Sequence, residues 1–310
     1  MISIIIPNYN RRKCIINLLK NIYIQEKADF EVIVVDDCSM DGSVEAIHEE
    51  FPSVKILVNL INVGPAVTRN RGIMEACGDL IVGFDSDVAI SDKLLLSKVV
   101  KYFEELGAGD GLAFRILKSD GKSDDVGRWW HPLALNNFSK LWFKTCYFSG
   151  TAYAMRRKVL LDSGLYSEFF YMHYEEVELA WRILNCGGEI IYSPELIVIH
   201  HTNLISKRRE VETFFKARNQ ILLAISCLPL FSAIYYVVPR ILFQFMNACL
   251  RGHIISFLRS MYSALKLIPR QVSKRNPLEK DTLTCIKFFK FGDLIICPYT
   301  TVNRQVDRIL

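Results

Sequence analysis

Short apolar runs separated by longer amphipathic stretches organise the first hundred residues. Ile2–Ile6 is a β-branched run that meets Pro7-Asn8-Tyr9-Asn10, which predicts a strand and then a loop. Arg11–Gln25 carries apolar positions at helical spacing, and Phe30–Val35 is a second apolar run that stops at Asp36-Asp37. Helices are predicted over Gly42–Glu50, capped near Ser43, and over Pro65–Ala76, behind Asn62-Val63-Gly64. Strands are predicted at Val54–Leu57 and at Leu80–Phe84, which ends in Asp85-Ser86-Asp87. The order is β-α-β-α-β-α-β. Strands apolar on both faces that alternate with helices belong to an α/β fold with a doubly wound, mostly parallel sheet. Ligands bind beyond the carboxyl ends of such strands, so the polar clusters that close three of them should converge on one crevice.

Further on the pattern is less regular. Ser91–Glu105 predicts a helix, and residues 107–144 form a stretch containing Gly and Trp, suited to short strands and a variable loop. Cys146–Arg156 predicts a strand, Lys158–Ser163 a short helix, and Glu175–Cys186 a helix that ends at Gly187-Gly188. Glu189–Ile199 predicts a strand pair around Pro194. From Thr213 the character changes. Ile221–Val238 is apolar except for Ser226 and Ser232, and Pro229 interrupts it. At about 18 residues it is marginal for crossing a hydrocarbon core, and the proline favours a kinked or interfacial pair of helices. Ile254–Ile268 sets Arg259 and Lys266 in an apolar background, as an interfacial amphipathic helix does.

Candidate chemistry starts at the strand ends. Asp85 and Asp87 flank one residue after an apolar strand, so both carboxylates can face one side and hold a hard divalent cation with positions open for phosphate oxygens. An isolated Asp-x-Asp is usually a solvated loop, and the neighbouring motifs change that balance. Ile4-Ile5-Ile6-Pro7-Asn8-Tyr9-Asn10, Val34-Val35-Asp36-Asp37-Cys38-Ser39-Met40-Asp41-Gly42-Ser43, Asn62-Val63-Gly64 with Thr68-Arg69-Asn70-Arg71-Gly72, and Asp85-Ser86-Asp87 occur in this order. Gly150, Gly164-Leu165-Tyr166, Tyr174-Glu175-Glu176-Val177-Glu178-Leu179 with Arg182, and Pro194 with His200 follow them. Together these segments resemble the inverting family 2 glycosyltransferases of GT-A fold, a Rossmann-like architecture, and in particular rhamnosyltransferase-like members. The resemblance covers about residues 1–220.

It implies a role for each matched position. Pro7, Asn8 and Tyr9 would line the nucleobase and ribose pocket, with Asp37 hydrogen-bonding the base and Asp36 beside it. Asn62 and Arg69 would face the nucleotide, Arg69 offering its guanidinium fork to the base or diphosphate side; Arg71 fits a surface helix charge. Asp85 would reach ribose or metal. Asp87 would hold Mn2+ or Mg2+ through the diphosphate, with His200 preferred to His201 in completing the metal shell. Glu175-Glu176 stands where the family commonly has Glu-Asp, the second acid being the general base, so Glu176 is the expected base, with Glu175 and Glu178 as competitors. On a helix Glu175 and Glu178 share a face while Glu176 points elsewhere, so only one side is expected to look into the crevice. Trp129, Trp130 and His131 suit either sugar stacking or core packing.

Charge then separates the chain into two parts. Residues 1–200 carry 21 Lys and Arg against 27 Asp and Glu, and the remaining residues 17 against 6, mixed with the apolar runs. The expected division is a catalytic domain over 1–212, with a nucleotide-binding half at 1–100 and an acceptor half at 101–212, and a basic, apolar helical region over 213–310. Such a tail suits an anionic lipid surface better than nucleic acid, since no zinc-finger spacing or aromatic-basic module accompanies it. Nine scattered cysteines without a C-x-x-C pair predict reduced, mostly buried thiols, and the cytoplasmic face of a membrane as the working place. The expected reaction is single-sugar transfer from a UDP- or dTDP-linked donor to a glycan or lipid-linked acceptor in cell-envelope polysaccharide synthesis. A nucleotidyltransferase would open with a Gly-rich loop, and a dinucleotide oxidoreductase with G-x-G-x-x-G; neither follows the first strand. A non-catalytic sugar- or nucleotide-binding subunit would not need Asp85, Asp87, Glu176 and His200 together.

Overall fold

The computed structural model of the chain describes residues 1–105, 109–131, 133–201, 208–273, 275–288 and 295–296; Gly107 and Cys297 lie outside them. The first half alternates as the pattern requires: β1 (Ile2–Asn8), α1 (Arg12–Tyr23), β2 (Phe30–Asp36), α2 (Ser43–Glu50), β3 (Lys55–Val58), α3 (Pro65–Glu75) and β4 (Leu80–Phe84). β3, β2, β1 and β4 lie side by side in that order and all run parallel. The Ile2, Ile4, Ile5 and Ile6 side chains are fully buried, some facing each side of the sheet, because helices cover both. α2 is not capped by Ser43. Gly42 takes the left-handed cap position at φ 75°, and Asp41 Oδ1 accepts from the Ser43 N–H at 3.1 Å.

The second half follows as β5 (Val88–Ala89), α4 (Leu95–Glu104), β6 (Gly111–Lys118), α5 (Leu135–Phe138), β7 (Phe143–Thr145), β8 (Ala152–Arg156), α6 (Arg157–Asp162), α7 (Glu175–Asn185) and β9 (Ile190–His200). The sheet continues from β4 through β8, β6 and β9 to β5, with mixed directions. β8 pairs antiparallel with β4 and is shorter than expected, residues 146–151 remaining as a loop. Residues 189–199 do not make a strand pair. β9 is a single strand whose register on β6 jumps from Ser193 opposite Phe114 to Ile197 opposite Arg115. Pro194, with no N–H to give the ladder, sits in the bulge.

Three long helices complete the described fold: α8 (Arg208–Cys227), α9 (Leu230–Arg251) and α10 (Ile254–Ser273), followed by the short α11 (Lys280–Cys285). Pro229 separates α8 from α9, as the sequence pattern anticipates. Leu222, Leu223, Ala224 and Cys227 of α8 lie in the same core as Trp181 of α7 and Tyr153 of β8, so the division expected after residue 212 falls within a helix of the main core. α9 and α10 instead leave Phe231, Tyr235, Val238, Leu242, Met246 and Leu250, then Ile255, Leu258, Tyr262 and Leu265, exposed at helical spacing. α9 is long and apolar enough to cross a membrane by length and composition alone. The seven cysteines whose state is described are free, but only Cys146 and Cys227 are buried, whereas Cys77, Cys186 and Cys249 are exposed.

Candidate active site

The carboxyl ends of β1, β2 and β4 meet on one side of the sheet. Asn8, at the end of β1, donates from Nδ2 to Asp36 Oδ2 at 2.8 Å, directly across the ladder. Asp36 is fully buried and accepts from the Ser39 N–H at 2.7 Å through its other oxygen. Asp37 organises the loop ahead of α3: Oδ1 accepts from Asn59 Nδ2 at 2.8 Å and the Val63 N–H at 2.9 Å, and Oδ2 from the Gly64 N–H at 2.9 Å. Gly64 holds φ 86°, and a Cβ there would stand 2.5 Å from the Tyr171 ring, so the position requires glycine twice over. Tyr171 also donates to Asn62 Oδ1. Pro7 is half-buried and Tyr9 is exposed. Arg71 lies at the surface on Val58 O and Asn59 Oδ1.

Arg69 is the buried centre of the charge system. Its Nη2 donates to Asp85 Oδ1 at 2.7 Å and Gly150 O at 3.3 Å, its Nη1 stands 3.6 Å from Glu175 Oε1, and Tyr166 lies under the guanidinium at 5.6 Å. Burial opposes its charge, but Asp85 and the surrounding acids hold the guanidinium protonated. Burial likewise opposes ionisation of Asp85, yet Arg69, Arg128, His200 and Arg11 keep its carboxyl below the usual range. Glu175 goes the other way. Burial, then the charge of Glu176, lifts its carboxyl well above the ordinary value, with Arg69 too weak to offset them. Glu176 is less buried, and its Oε1 accepts from the Gly150 N–H at 3.2 Å. A Cβ at Gly150 would come within 2.6 Å of that oxygen and 2.8 Å of Arg69 Nη2.

Glu175 and Glu176 therefore address the same crevice, not opposite faces. They occupy the first turn of α7, behind a left-handed Tyr174 at φ 72°, and reach Arg69 and the Gly150 N–H, which lie side by side. Glu178 is the residue that faces elsewhere. It holds Arg182 through both oxygens, at 2.7 and 2.6 Å, and Arg182 in turn caps Leu165 O at 2.5 Å.

Asp87 and His200 form the second part of the site. Asp87 pairs with Arg11 and stands 3.7 Å from His200 Nε2. His200 Nδ1 meets Asp125 Oδ2 at 3.0 Å and its Nε2 meets Arg128 Nη2 at 3.3 Å. Arginine can only donate, so in the neutral ring the lone pair is on Nε2 and the proton on Nδ1, where Asp125 accepts it. That bond, more than any charge, holds Asp125 below the usual carboxylate range. A lone pair on Nε2 beside a carboxylate, with the ring braced from behind by a second carboxylate, is a donor set that fits a divalent cation. Among the described residues no group of three or more His, Cys, Asp or Glu side chains converges, so most of such a cation's shell would be supplied by phosphate and water.

Arg11, Asp125, Arg128 and Thr151, which donates to Asp85 Oδ2 at 3.2 Å, belong to this cluster and no motif marked them. Arg11 directly follows the first polar cluster, a usable signal. Asp125 and Arg128 lie in the irregular stretch. There Arg115 engages Asp124 at 2.7 Å and leaves Asp125 to His200. Trp129 and His131 are core: they pack against Phe143 and Tyr192, and burial pushes His131 down to about 3. Trp129 is partly buried against this core, and Trp130 is the most exposed of the three, against Tyr147 and Tyr174.

Acidic and basic side chains gather at the carboxyl ends of β1, β2 and β4, where open α/β sheets bind their ligands. The family described as Glycosyl transferase family 2 matches residues 3–164, just over half of the chain, and the chain belongs to that family. An uncharacterized glycosyltransferase of Haemophilus influenzae is 40% identical over 87 residues, 28% of this chain and 29% of that protein. The GalNAc(5)-diNAcBac-PP-undecaprenol beta-1,3-glucosyltransferase of Campylobacter jejuni is 26% identical over 179 residues, 55% of this chain and 56% of that protein. The chain thus spans well under two thirds of either relative's length. Two solved structures share the GT-A fold. The Staphylococcus aureus TarS 1–349 complex with UDP-GlcNAc superposes with TM-score 0.60 at 18% identity, over 88% of this chain and 83% of that one. The mannosyltransferase PcManGT from Pyrobaculum calidifontis with GDP-Man and Mn2+ gives 0.56 at 18% identity, over 91% and 82%.

Proposed function

We propose that this chain transfers one hexosyl residue, with inversion, from a UDP- or dTDP-linked donor to a glycan or lipid-linked acceptor of the cell envelope. The observation that carries this reading is the common crevice: Arg69 touches Asp85 and Glu175, and Glu176 closes over Gly150 beside them. Pro7, Asn8, Tyr9, Asp36, Asp37 and Asn62 line the nucleobase and ribose end. Asp87 and His200, with Asp85 adjacent, would hold Mn2+ or Mg2+. The cation supplies charge neutralisation for the departing diphosphate. Arg11 and Arg128, now on Asp87 and His200, lie where they can add to that neutralisation.

Glu176 takes the proton of the acceptor hydroxyl as its oxygen bonds to the anomeric carbon. The bond from that carbon to the diphosphate oxygen breaks on the opposite face, and its electron pair leaves with the phosphate. Glu175, held protonated-prone by burial and by its neighbour, suits a supporting part. A screen of nucleotide sugars with Mn2+ or Mg2+, scored by diphosphate release, tests the reading; no binding of any nucleotide sugar with metal present overturns it. Asp87→Ala is expected to weaken UDP binding in Mn2+ by about 10–100-fold and to leave metal-free binding little changed, as calorimetry would show.

The exposed apolar faces of α9 and α10, set among Arg240, Arg251, Arg259, Lys266 and Arg270, support docking on an anionic bilayer at its cytoplasmic side. The Campylobacter relative's undecaprenol-linked substrate fits that location. Phe231 is 87% and Leu250 84% exposed, so serine at both should leave the fold intact. Each loses the transfer free energy of a large side chain, so binding to phosphatidylglycerol vesicles should fall by roughly tenfold per substitution. Unchanged sedimentation with vesicles would remove the membrane assignment.

A further inference from the structure

Between the two halves of the site runs the segment 169–174, and its backbone is unusual. Tyr171, His173 and Tyr174 hold φ of 61°, 66° and 72°, and none is glycine. Left-handed residues of this bulk persist only where their surroundings over-determine them. Here the surroundings come from α8. Asn219, fully buried, points its Nδ2 at the carbonyl oxygens of Phe170, Met172 and His173, at 2.9, 2.8 and 2.7 Å. Arg218 Nη2 donates to the carbonyls of Phe169 and Phe170 at 2.9 and 2.7 Å, and its Nε to Asn219 Oδ1 at 2.8 Å, which fixes the amide's orientation. Gln220 donates to the Tyr174 hydroxyl at 2.6 Å.

Each end of the clamped segment leads to a functional group. Tyr171 reaches Asn62 with its hydroxyl, lies against Gly64, and stacks on Phe215 of α8 at 5.0 Å and 10°. Tyr174 precedes α7, whose first two residues are Glu175 and Glu176. A shift of this segment would move the acids relative to Arg69 and Gly150.

We propose that Asn219, oriented by Arg218, is a positioning residue: by sharing its two amide N–H groups among the carbonyls of Phe170, Met172 and His173 it sets where α7 begins and so where Glu175 and Glu176 stand in the crevice. The catalytic consequence rests on Glu176 being the base; the geometric claim does not. The test is amide hydrogen exchange of full-length Asn219→Leu, which keeps the side-chain size and removes the donors. Faster exchange confined to 169–178, with peptides of β1 to β4 unchanged, is the expected result.

Where a nucleotide sugar is turned over, kcat should fall about 100-fold, as for a displaced catalytic group, while KM and UDP–Mn2+ binding change about threefold or less. Arg218→Lys, which keeps the charge and one donor site, should lie between wild type and Asn219→Leu on both readouts, and serves alone if the leucine variant does not fold. Exchange that rises evenly across the chain, or not at all in 169–178, overturns the proposal, as does a loss carried by KM alone. If wild type turns over no nucleotide sugar, the transferase reading falls and the exchange result still decides the clamp.

Discussion

Glu176→Gln is expected to abolish turnover by about 10²–10⁴-fold, the usual contribution of a positioned general base, while UDP–Mn2+ binding stays as in wild type. The amide keeps the acceptor for the Gly150 N–H, which is the contact that seats the side chain, so the loss is chemical and not structural. Glu175→Gln should cost much less, because the buried carboxyl is already driven toward its neutral form by burial and by Glu176. Single-turnover assays separate the outcomes: normal rates in Glu176→Gln with loss in Glu175→Gln would transfer the base to Glu175. Glu178 is no longer a competitor, since both its oxygens are committed to Arg182.

The largest stability effect is expected at Arg69. Arg69→Met leaves Asp85 Oδ1 and Glu175 without the cation they share, and stranding a buried charge costs about 3–5 kcal/mol. The sign with pH follows from Asp85, whose folded carboxyl is held below the usual range by Arg69 among others, against burial. Its stabilising contribution is present above the unfolded value, near 4 for an aspartate, and disappears as pH falls through the folded one. The gap between wild type and variant should therefore be widest near neutrality and narrow on acidification below about pH 4. Adding Asp85→Asn to Arg69→Met should restore part of the loss, because the stranded carboxylate is gone. Urea unfolding at two pH values measures all of this; a neutral-pH gap under about 1 kcal/mol would show that water, not Arg69, solvates these acids.

The first half of the fold was legible because both faces of β1, β2 and β4 are covered, which leaves uninterrupted runs such as Ile2–Ile6 followed at once by polar residues. Asp36, Asp37, Asp85 and Asp87 come together for the same reason: a parallel strand delivers the residues at its carboxyl end to the crevice. The second half was less legible. Gly111–Lys118 is a full central strand inside a stretch whose neighbours carry no periodicity, and the β9 bulge at Pro194 looks like a strand break when only the sequence is read. Asp125 and Arg128 reach His200 across 75 and 72 residues of sequence, and nothing local marks such a partnership. Helical spacing sets Glu175 and Glu176 on different faces of a continuous helix, whereas both residues stand at the open end of α7.

α8 belongs to one packed unit with α7, and Tyr236 of α9 enters the same core. On the reading of α9 and α10 as the lipid-facing surface, this shared core joins the bilayer to the two glutamates with no hinge among the described residues. The tilt adopted on the lipid is then the tilt of the crevice, and its distance from the headgroups is set by side-chain packing. An acceptor tethered in the same leaflet would then meet Glu176, the proposed base, at one height, which would make the tail a gauge of how far a sugar chain must extend before its terminal hydroxyl can react.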